Sequence, residues 1–180
     1  KIVAGIPSGG VLVFLPSYAL LRKCEKQWNP NSFRQNNRRS FWSQHEDNMD
    51  DGESVWDRLT ELKHNVIVEP TGGQASFEEA KQEYMDSVKN KGGCVLFAVF
   101  RGKMSEGISF NDENARGVIC IGLPLPSAFA LPIKVKKDYN DEQRKLRNRT
   151  DLLPGYDWYQ QQAYRAIAQA LGRCIRHAGD

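Results

Sequence analysis

The sequence contains few cysteines, and none of them is spaced for metal binding. The four cysteines lie far apart, each in an apolar run: Cys24, Cys94, Cys120 and Cys174. This spacing excludes a zinc motif of the CxxC or Cys/His type, because the ligands of such sites come in close pairs. We therefore predict that the cysteines are small core residues in a reducing compartment.

Long apolar runs are also absent. The sequence has no segment of membrane-spanning length and no signal-peptide pattern, so we expect no membrane partner. A net charge of +3 is too small to indicate a partner by itself. With 40% hydrophobic and 10% aromatic residues, the 180-residue chain has the composition of one globular domain.

Two motifs that bind phosphate and metal are missing as well. The sequence contains no Walker loop of the form GxxxxGK(S/T) and no acidic box of the form DEx(H/D). The chain therefore lacks the parts with which nucleotide-hydrolysing proteins bind a triphosphate and its magnesium ion. Since it begins at Lys1 and ends at Asp180 directly after a basic segment, we expect residues 1–180 to be one domain of a larger protein.

Short apolar runs alternate with helical patterns along the chain. The runs predict strands at 11–15, 66–68, 95–100 and 117–122, and a helix follows the first of them over about 18–28. A capping box of Ser76 and Glu79 predicts another helix that ends near Lys89. Continuous apolar strands with helical crossovers indicate an α/β fold, with a parallel sheet covered by helices on both faces.

Two polar segments interrupt this alternation. Residues 29–54 are rich in asparagine and acidic residues, so we predict a long, mobile surface insertion. Residues 134–149 carry seven basic and three acidic residues. Two interpretations stay open for this stretch, a solvated helix face and a surface that faces phosphates.

The last helical pattern carries two arginines. Its small and apolar residues fall on one side at steps of three and four, and they include Leu171 and Ile175. Gln169, Arg173 and Arg176 gather on the other side, within roughly 60° of one another on a helical wheel. Two rigidly mounted guanidinium groups can hold phosphate oxygens by forked hydrogen bonds. On spacing alone, a solvated basic helix end explains the pattern equally well.

Two strand ends supply further polar groups. The loop RGKMSEGISF, residues 101–110, contains Gly102 and Gly107, which permit close approach of a ligand to the backbone. Ser17 stands between the first strand and its helix, where it is an N-cap in one interpretation and a phosphate contact in the other. Loops at the carboxyl ends of parallel strands are where such sheets bind ligands.

Five segments, in this order, resemble the second RecA-like domain of XPD-type superfamily 2 DNA helicases. They are VLVFLPSY, VIVEPTGG, VLFAVFRGKMSEGISF, GVICIGLPLP and YRAIAQALGRCIRH, of which the first, third and last match motifs IV, V and VI. LLPGYDWYQQQAYRA and QALGRCIRH are most similar to the Fanconi-anaemia J-type branch. The resemblance covers nearly the whole chain apart from the insertion, and it implies a three-layer αβα RecA-like fold.

The resemblance implies a role for motif VI at a nucleotide site. Gln169, Gly172, Arg173 and Arg176 match its QxxGRxxR pattern. Arg173 and Arg176 would be catalytic, reaching across an interdomain cleft to the γ-phosphate of ATP, with Arg176 as the arginine finger. Gln169 and Gly172 would lie beside the nucleotide.

Motif V would contribute to the same nucleotide site and to DNA binding. Its nucleotide-binding and coupling positions would be Glu106, Gly107 and Ser109, where Ser109 replaces the aspartate usual in this family. The resemblance implies that single-stranded DNA is contacted, mainly at its phosphates, by Ser17, Arg101, Lys103 and Ser105.

The cofactors implied by the resemblance are ATP and Mg²⁺, bound mainly by the N-terminal RecA-like domain of the same protein. An iron–sulphur cluster would belong to that half alone, and we expect no metal site in this chain. That N-terminal domain and single-stranded DNA are the expected partners, with DNA-repair proteins as further ones.

The resemblance therefore implies the C-terminal motor domain of an ATP-dependent 5′–3′ DNA helicase that acts in DNA repair in the nucleus. The isolated chain is expected to be inactive, because it carries half of a two-domain site. Two alternatives stay open. One is a non-catalytic nucleic-acid or protein-interaction module derived from a helicase, and the other is a branch that acts on RNA:DNA or quadruplex structures.

Overall fold

A computed structural model describes residues 1–29, 53–107, 110 and 112–173, without the side chain of Glu106. The predicted insertion at 29–54 lies almost entirely outside the described residues, so it stays a prediction. Four parallel strands form one sheet in the order β2–β3–β1–β4. Their bounds are β1 Gly9–Leu15, β2 Val66–Val68, β3 Gly93–Val99 and β4 Gly117–Cys120.

The centre of the sheet is the pairing of β1 with β3. The two strands run side by side over seven residue pairs, from Gly9 opposite Gly93 to Leu15 opposite Val99. Every residue in both strands is buried. β1 starts two residues before its predicted position, at Gly9. Gly10 leaves room for Tyr84, since a Cβ atom at Gly10 would lie 1.9 Å from the tyrosine hydroxyl.

Helices cover both faces of the sheet. The α-helices of the described residues are α1 Tyr18–Trp28, α2 Val55–Lys63, α3 Gln74–Lys91, α4 Lys103–Gly107, α5 Leu131–Arg147 and α6 Gly155–Leu171. Leu21, Trp28 and Trp56 of α1 and α2 pack against one face. Residues of α3, α4 and α6 pack against the other. The predicted parallel α/β fold with three layers is confirmed.

The helix starts show where sequence signals were sufficient and where they were not. Ser17 is the N-cap of α1, as one interpretation predicted, since its hydroxyl oxygen accepts a hydrogen bond of 3.2 Å from Leu20 N. The predicted capping box at Ser76 is wrong: α3 starts earlier, with Gly73 as its N-cap and no side-chain cap. A capping box does form between Ser54 and Asp57 at the start of α2, a helix that was not predicted.

The last helix ends sooner than its pattern predicts. α6 stops at Leu171, followed by Gly172 as the C-cap, and Arg173 lies in the turn after the helix. Ala163, Ala166 and Ala170 are buried, but Leu171 is 46% exposed, contrary to its predicted place on the buried side. Residues 174–180, including Arg176, lie outside the described residues.

The basic stretch at 134–149 corresponds to most of α5 and the turn after it. Some of its charges make internal contacts: Lys137 Nζ lies 5.2 Å from the centre of the Tyr159 ring, and Arg144 donates a hydrogen bond to Leu152 O. Other basic side chains, among them Lys134 and Arg147, are exposed. Whether these face phosphates stays a prediction.

The buried position of Cys94 in β3 leads to a test of the fold. Cys94 is fully buried, and this burial, reinforced by Glu83, raises the pKa of its thiol to about 12. At pH 8 it therefore holds on the order of a thousandfold less thiolate than an ordinary cysteine. We expect iodoacetamide to leave Cys94 unmodified in the native chain and to alkylate it in urea, as measured by peptide mass spectrometry. Half-buried Cys24 is the comparison, and native alkylation of Cys94 at an equal rate would contradict the fold.

Candidate functional site

Some of the polar residues singled out in the sequence lie at the carboxyl edge of the sheet, namely Ser17, Arg101, Lys103 and Ser105. β1 and β3 end opposite each other, at Leu15 and Val99, and Phe100 N continues the contact by donating to Leu15 O at 3.0 Å. The segment that starts α1 therefore lies beside the loop that leads into α4. Parallel strands place their ligand-binding loops at this edge.

The loop between β3 and α4 is a tight turn held by its own backbone. Gly102 N donates to Val99 O at 2.9 Å, and the buried Ser105 hydroxyl donates to Gly102 O at 2.8 Å. Arg101 has a φ of 60°, a left-handed conformation that costs a non-glycine residue roughly 1 kcal/mol. The loop thus presents Arg101, an exposed residue, at a fixed point.

The same loop contacts α6, so the two arginine-bearing segments meet. The Arg101 guanidinium donates a hydrogen bond to the backbone oxygen of Gln162. Arg101, Ser105 and Gln169 border a gap of about 10 Å³. A gap of this size holds no more than one water molecule, so the junction is not itself a nucleotide pocket. It is a direct packing contact between this loop and α6.

Ser17 and Lys103 are both exposed at this edge. Ser17 uses its hydroxyl oxygen to cap α1, which leaves its O–H group as a donor for a further partner. Lys103 is the first residue of α4. Their positions fit side chains that touch a polyanion, and their roles remain predictions.

Glu69 is the residue at this edge that sequence reasoning missed. It directly follows β2 and is 1% exposed, yet it is acidic. One of its carboxylate oxygens accepts from Val99 N at 2.7 Å, and the other accepts from Met104 N at 3.1 Å and from the Tyr18 hydroxyl at 2.9 Å. The sequence signal that could have identified Glu69 is a charged residue directly after a buried strand. Burying an isolated carboxylate is costly without hydrogen-bond donors, so such a residue needs specific partners.

Tyr18 is affected by the same carboxylate. Partial burial, followed by the hydrogen bond to Glu69 and its negative charge, raises the pKa of Tyr18 to about 12, while Arg22 opposes the shift. The stabilisation linked to this shift is present below the ordinary tyrosine pKa of 10 and is lost as the pH rises through about 12. At neutral pH Tyr18 is therefore a hydrogen-bond donor.

The remaining predicted positions are described only in part. Arg173 is half-buried, and its backbone N–H donates to Ala170 O at 3.1 Å in the turn that ends α6. Glu106 and Gly107 lie in α4, without a description of the Glu106 side chain. Arg176 and Ser109 lie outside the described residues.

Two larger hollows in the described part of the chain lie away from this edge. One of about 450 Å³ is lined by apolar residues of α2 and of the N-terminal segment, including Val55 and Leu62. Another of about 520 Å³ lies between α3 and the segment before β4, beside Lys89 and Arg116. Cavity volume therefore does not identify the candidate site.

Neither a metal site nor a membrane span is found in the described part of the chain. There, no group of three or more His, Cys, Asp or Glu side chains is placed to hold a metal ion. None of the helices in this part combines the length and the apolar character that crossing a bilayer needs.

The contact between Gly102 and Glu69 gives a prediction for this edge. A Cβ atom at Gly102 would lie 2.6 and 2.7 Å from the two Glu69 carboxylate oxygens and 2.8 Å from Val99 O. Gly102→Ala should therefore lower the free energy of unfolding by about 1–3 kcal/mol, measured by urea denaturation. Gly5→Ala is the matched control, because nothing lies within 4 Å of its added Cβ atom. Equal stability of the two variants would show that the loop does not enclose the carboxylate.

Comparison with known proteins agrees with the motifs at this edge. The family model described as a helicase C-terminal domain matches residues 1–180. A Fanconi anemia group J protein homolog from Gallus gallus is 45% identical over 175 residues, which are 95% of this chain and 12% of that protein. A regulator of telomere elongation helicase 1 homolog from Anopheles gambiae is 36% identical over 174 residues, 96% of this chain and 15% of that protein.

A third relative also matches nearly the whole chain. The regulator of telomere elongation helicase 1 homolog from Oryza sativa subsp. japonica is 35% identical over 180 residues, 98% of this chain and 16% of that protein. The chain thus spans less than a fifth of the length of these relatives. The predicted resemblance to XPD-type helicases of the Fanconi-anaemia J branch is confirmed, and the chain belongs to the helicase C-terminal domain family.

Proposed function

We propose that this chain is the C-terminal motor domain of an ATP-dependent 5′–3′ DNA helicase that acts in DNA repair and genome maintenance. One observation carries the proposal: the loop with Arg101 and Ser105 and the helix with Gln169 pack directly against each other at the carboxyl edge. A motor domain needs such a contact to transmit changes at a nucleotide to a nucleic acid. The relatives named as helicases support it.

The nucleotide role is assigned to the end of α6. Membership of a helicase family implies the use of a nucleotide and Mg²⁺. The described residues offer no metal-binding cluster and only a narrow gap beside Gln169. These residues do not fit a complete nucleotide–metal site, so we place ATP, Mg²⁺ and any iron–sulphur cluster in an N-terminal RecA-like half of a longer protein. Arg173 and Arg176 would contact the phosphates from this side.

The DNA role is assigned to the strand ends. A helicase domain implies nucleic-acid binding, and Ser17, Arg101 and Lys103 are exposed together at the edge where β1 and β3 end. Contacts of this kind are made to phosphates and carry no sequence preference. Exposed basic residues of α5 would make further phosphate contacts. The names of the relatives suggest a nuclear role, and we place the protein in the nucleus with DNA-repair proteins as its partners.

Salt dependence tests the DNA contacts. The chain should bind a labelled single-stranded oligonucleotide weakly, with an affinity that falls steeply between about 50 and 200 mM salt, because bound phosphates release counterions. Arg101→Ala and Lys103→Ala should each reduce the slope of log affinity against log salt by about 0.7. Fluorescence anisotropy measures both quantities.

Lys89→Ala is the matched control for this experiment. Lys89 is exposed near the end of α3, beside the start of β3 and therefore at the opposite edge of the sheet. Its removal should leave the slope nearly unchanged. A flat salt titration, or an equal effect of all three substitutions, would rule out a DNA surface at the carboxyl edge.

Substitution of the arginines tests the nucleotide role. In the intact helicase, Arg176→Ala should lower ATP turnover by roughly three to five orders of magnitude, with a much smaller change in ATP affinity. Arg176→Lys should not restore turnover, because an ammonium group cannot reproduce the planar fork of the guanidinium. Gln161→Ala, at an exposed position of α6, is the control. Near-normal turnover of Arg176→Ala would make the arginine a solvated surface residue.

A further inference from the structure

Glu69 joins the two segments to which DNA contacts are assigned. Its carboxylate accepts one hydrogen bond from Tyr18, the residue after Ser17. It accepts two more from Val99 N and Met104 N, on either side of Arg101 and Lys103. Three donors from two separate strand-to-helix connections therefore converge on one side chain.

Glu69 is also fixed from its own side. Its backbone N–H donates to Phe97 O at 2.8 Å, which extends the pairing of β2 with β3 by one step. Within the described residues Glu69 forms no salt bridge, and the partners described for its carboxylate are hydrogen-bond donors. Charge-assisted hydrogen bonds are shorter and stronger than neutral ones, and the 2.7 Å bond to Val99 N agrees with this.

The carboxylate also shapes the loop around it. Gly102 lies so close that an added Cβ atom would fall 2.6 Å from Glu69 Oε1. The loop therefore turns over the carboxylate between Val99 and Met104, and Arg101 takes its left-handed conformation at this turn. The two N–H···O bonds tie both ends of this turn, at Val99 and Met104, to one carboxylate. They add to the bonds within the turn itself, from Gly102 N to Val99 O and from Ser105 to Gly102 O.

We propose that Glu69 is a positioning residue for single-stranded DNA: it sets the distance between Ser17 on one loop and Arg101 and Lys103 on the other, without touching DNA itself. The proposal rests on the proposed DNA-binding function. A phosphate backbone has a regular spacing, so a change in the separation of the two loops weakens the contacts that follow one strand.

Glu69→Gln is the sharpest substitution because it keeps the size and changes the hydrogen bonding. All three partners of Glu69 are donors. A glutamine replaces one accepting oxygen by an NH₂ group, which faces a donor and cannot bond to it. The unpaired donor releases one connection from the carboxylate and so changes the spacing of the phosphate contacts. We therefore expect the affinity of the intact helicase for an oligothymidine to fall about tenfold. Glu79→Gln, the same change at an exposed residue of α3, is the control and should bind as the parent does.

A double-mutant cycle separates positioning from general destabilisation. If Glu69 acts through Arg101 and Lys103, Glu69→Gln should cost little further affinity once Arg101→Ala and Lys103→Ala are present. It should also lower the salt slope of the parent towards that of the Arg101→Ala/Lys103→Ala variant. Oligothymidine anisotropy is measured at a temperature where circular dichroism shows every variant folded. Should Glu69→Gln not fold, Tyr18→Phe, which removes one hydroxyl donor, is carried through the same cycle with a smaller expected loss.

Each result of the double-mutant cycle either supports the positioning role or overturns it. A loss that disappears in the Arg101→Ala/Lys103→Ala background supports the positioning role. Parent-like binding by Glu69→Gln, or a loss that adds fully to that of the other substitutions, overturns it and leaves the proposed DNA surface intact. If Arg101→Ala/Lys103→Ala itself binds as the parent does with an unchanged salt slope, the DNA surface and the positioning role both fail.

Discussion

The parallel pairing of β1 with β3 is the constraint on which the rest of the structure depends. Seven consecutive residue pairs, all buried, bring both strands to an end at the same level, with Leu15 opposite Val99. A shift of one residue would turn the inward side chains of a strand to the other face of the sheet. It would also move Tyr18 away from Val99 N, so that one carboxylate could no longer reach both. The register of the sheet therefore brings the ends of both strands together, and the hydrogen bonds of Glu69 then link the segments that follow them.

Local patterns in the sequence were sufficient for the elements of the fold. The apolar runs identified all four strands to within two residues, and the helix from Tyr18 to Trp28 was predicted to the residue, because each signal lies within a few neighbouring positions. The starting point of α3 was missed because a glycine N-cap leaves no side-chain signature. Glu69 was missed for a different reason. Its partners Tyr18 and Met104 lie 51 and 35 residues away in sequence, and no local pattern records such contacts.

The number of basic residues in a segment predicted the role of that segment less well than apolar runs predicted the buried strands. The segment 134–149 reads as one basic surface, yet Lys137 lies over the ring of Tyr159 and Arg144 donates to backbone oxygens of the connection that leads to α6. Asp141 accepts from Gly155 N at 2.7 Å at the start of that helix. These contacts hold the first turn of α6 in place. Part of the basic stretch therefore supports the helix that leads to the candidate nucleotide contacts. The count of basic residues alone cannot separate this structural role from a solvent-facing one.

The middle of α6 and its C-terminal end are held in different ways. Along its length the helix faces the sheet with Ala166 and Ala170, whose small side chains let its backbone come close to the loop that carries Arg101. At its end, Leu171 is exposed and Arg173 follows in a turn rather than on the helix. A guanidinium on a turn is oriented by the backbone of that turn as well as by helical spacing. The prediction from the helical wheel therefore places Gln169 correctly on the exposed side, whereas the direction of Arg173 is set by the turn at Gly172.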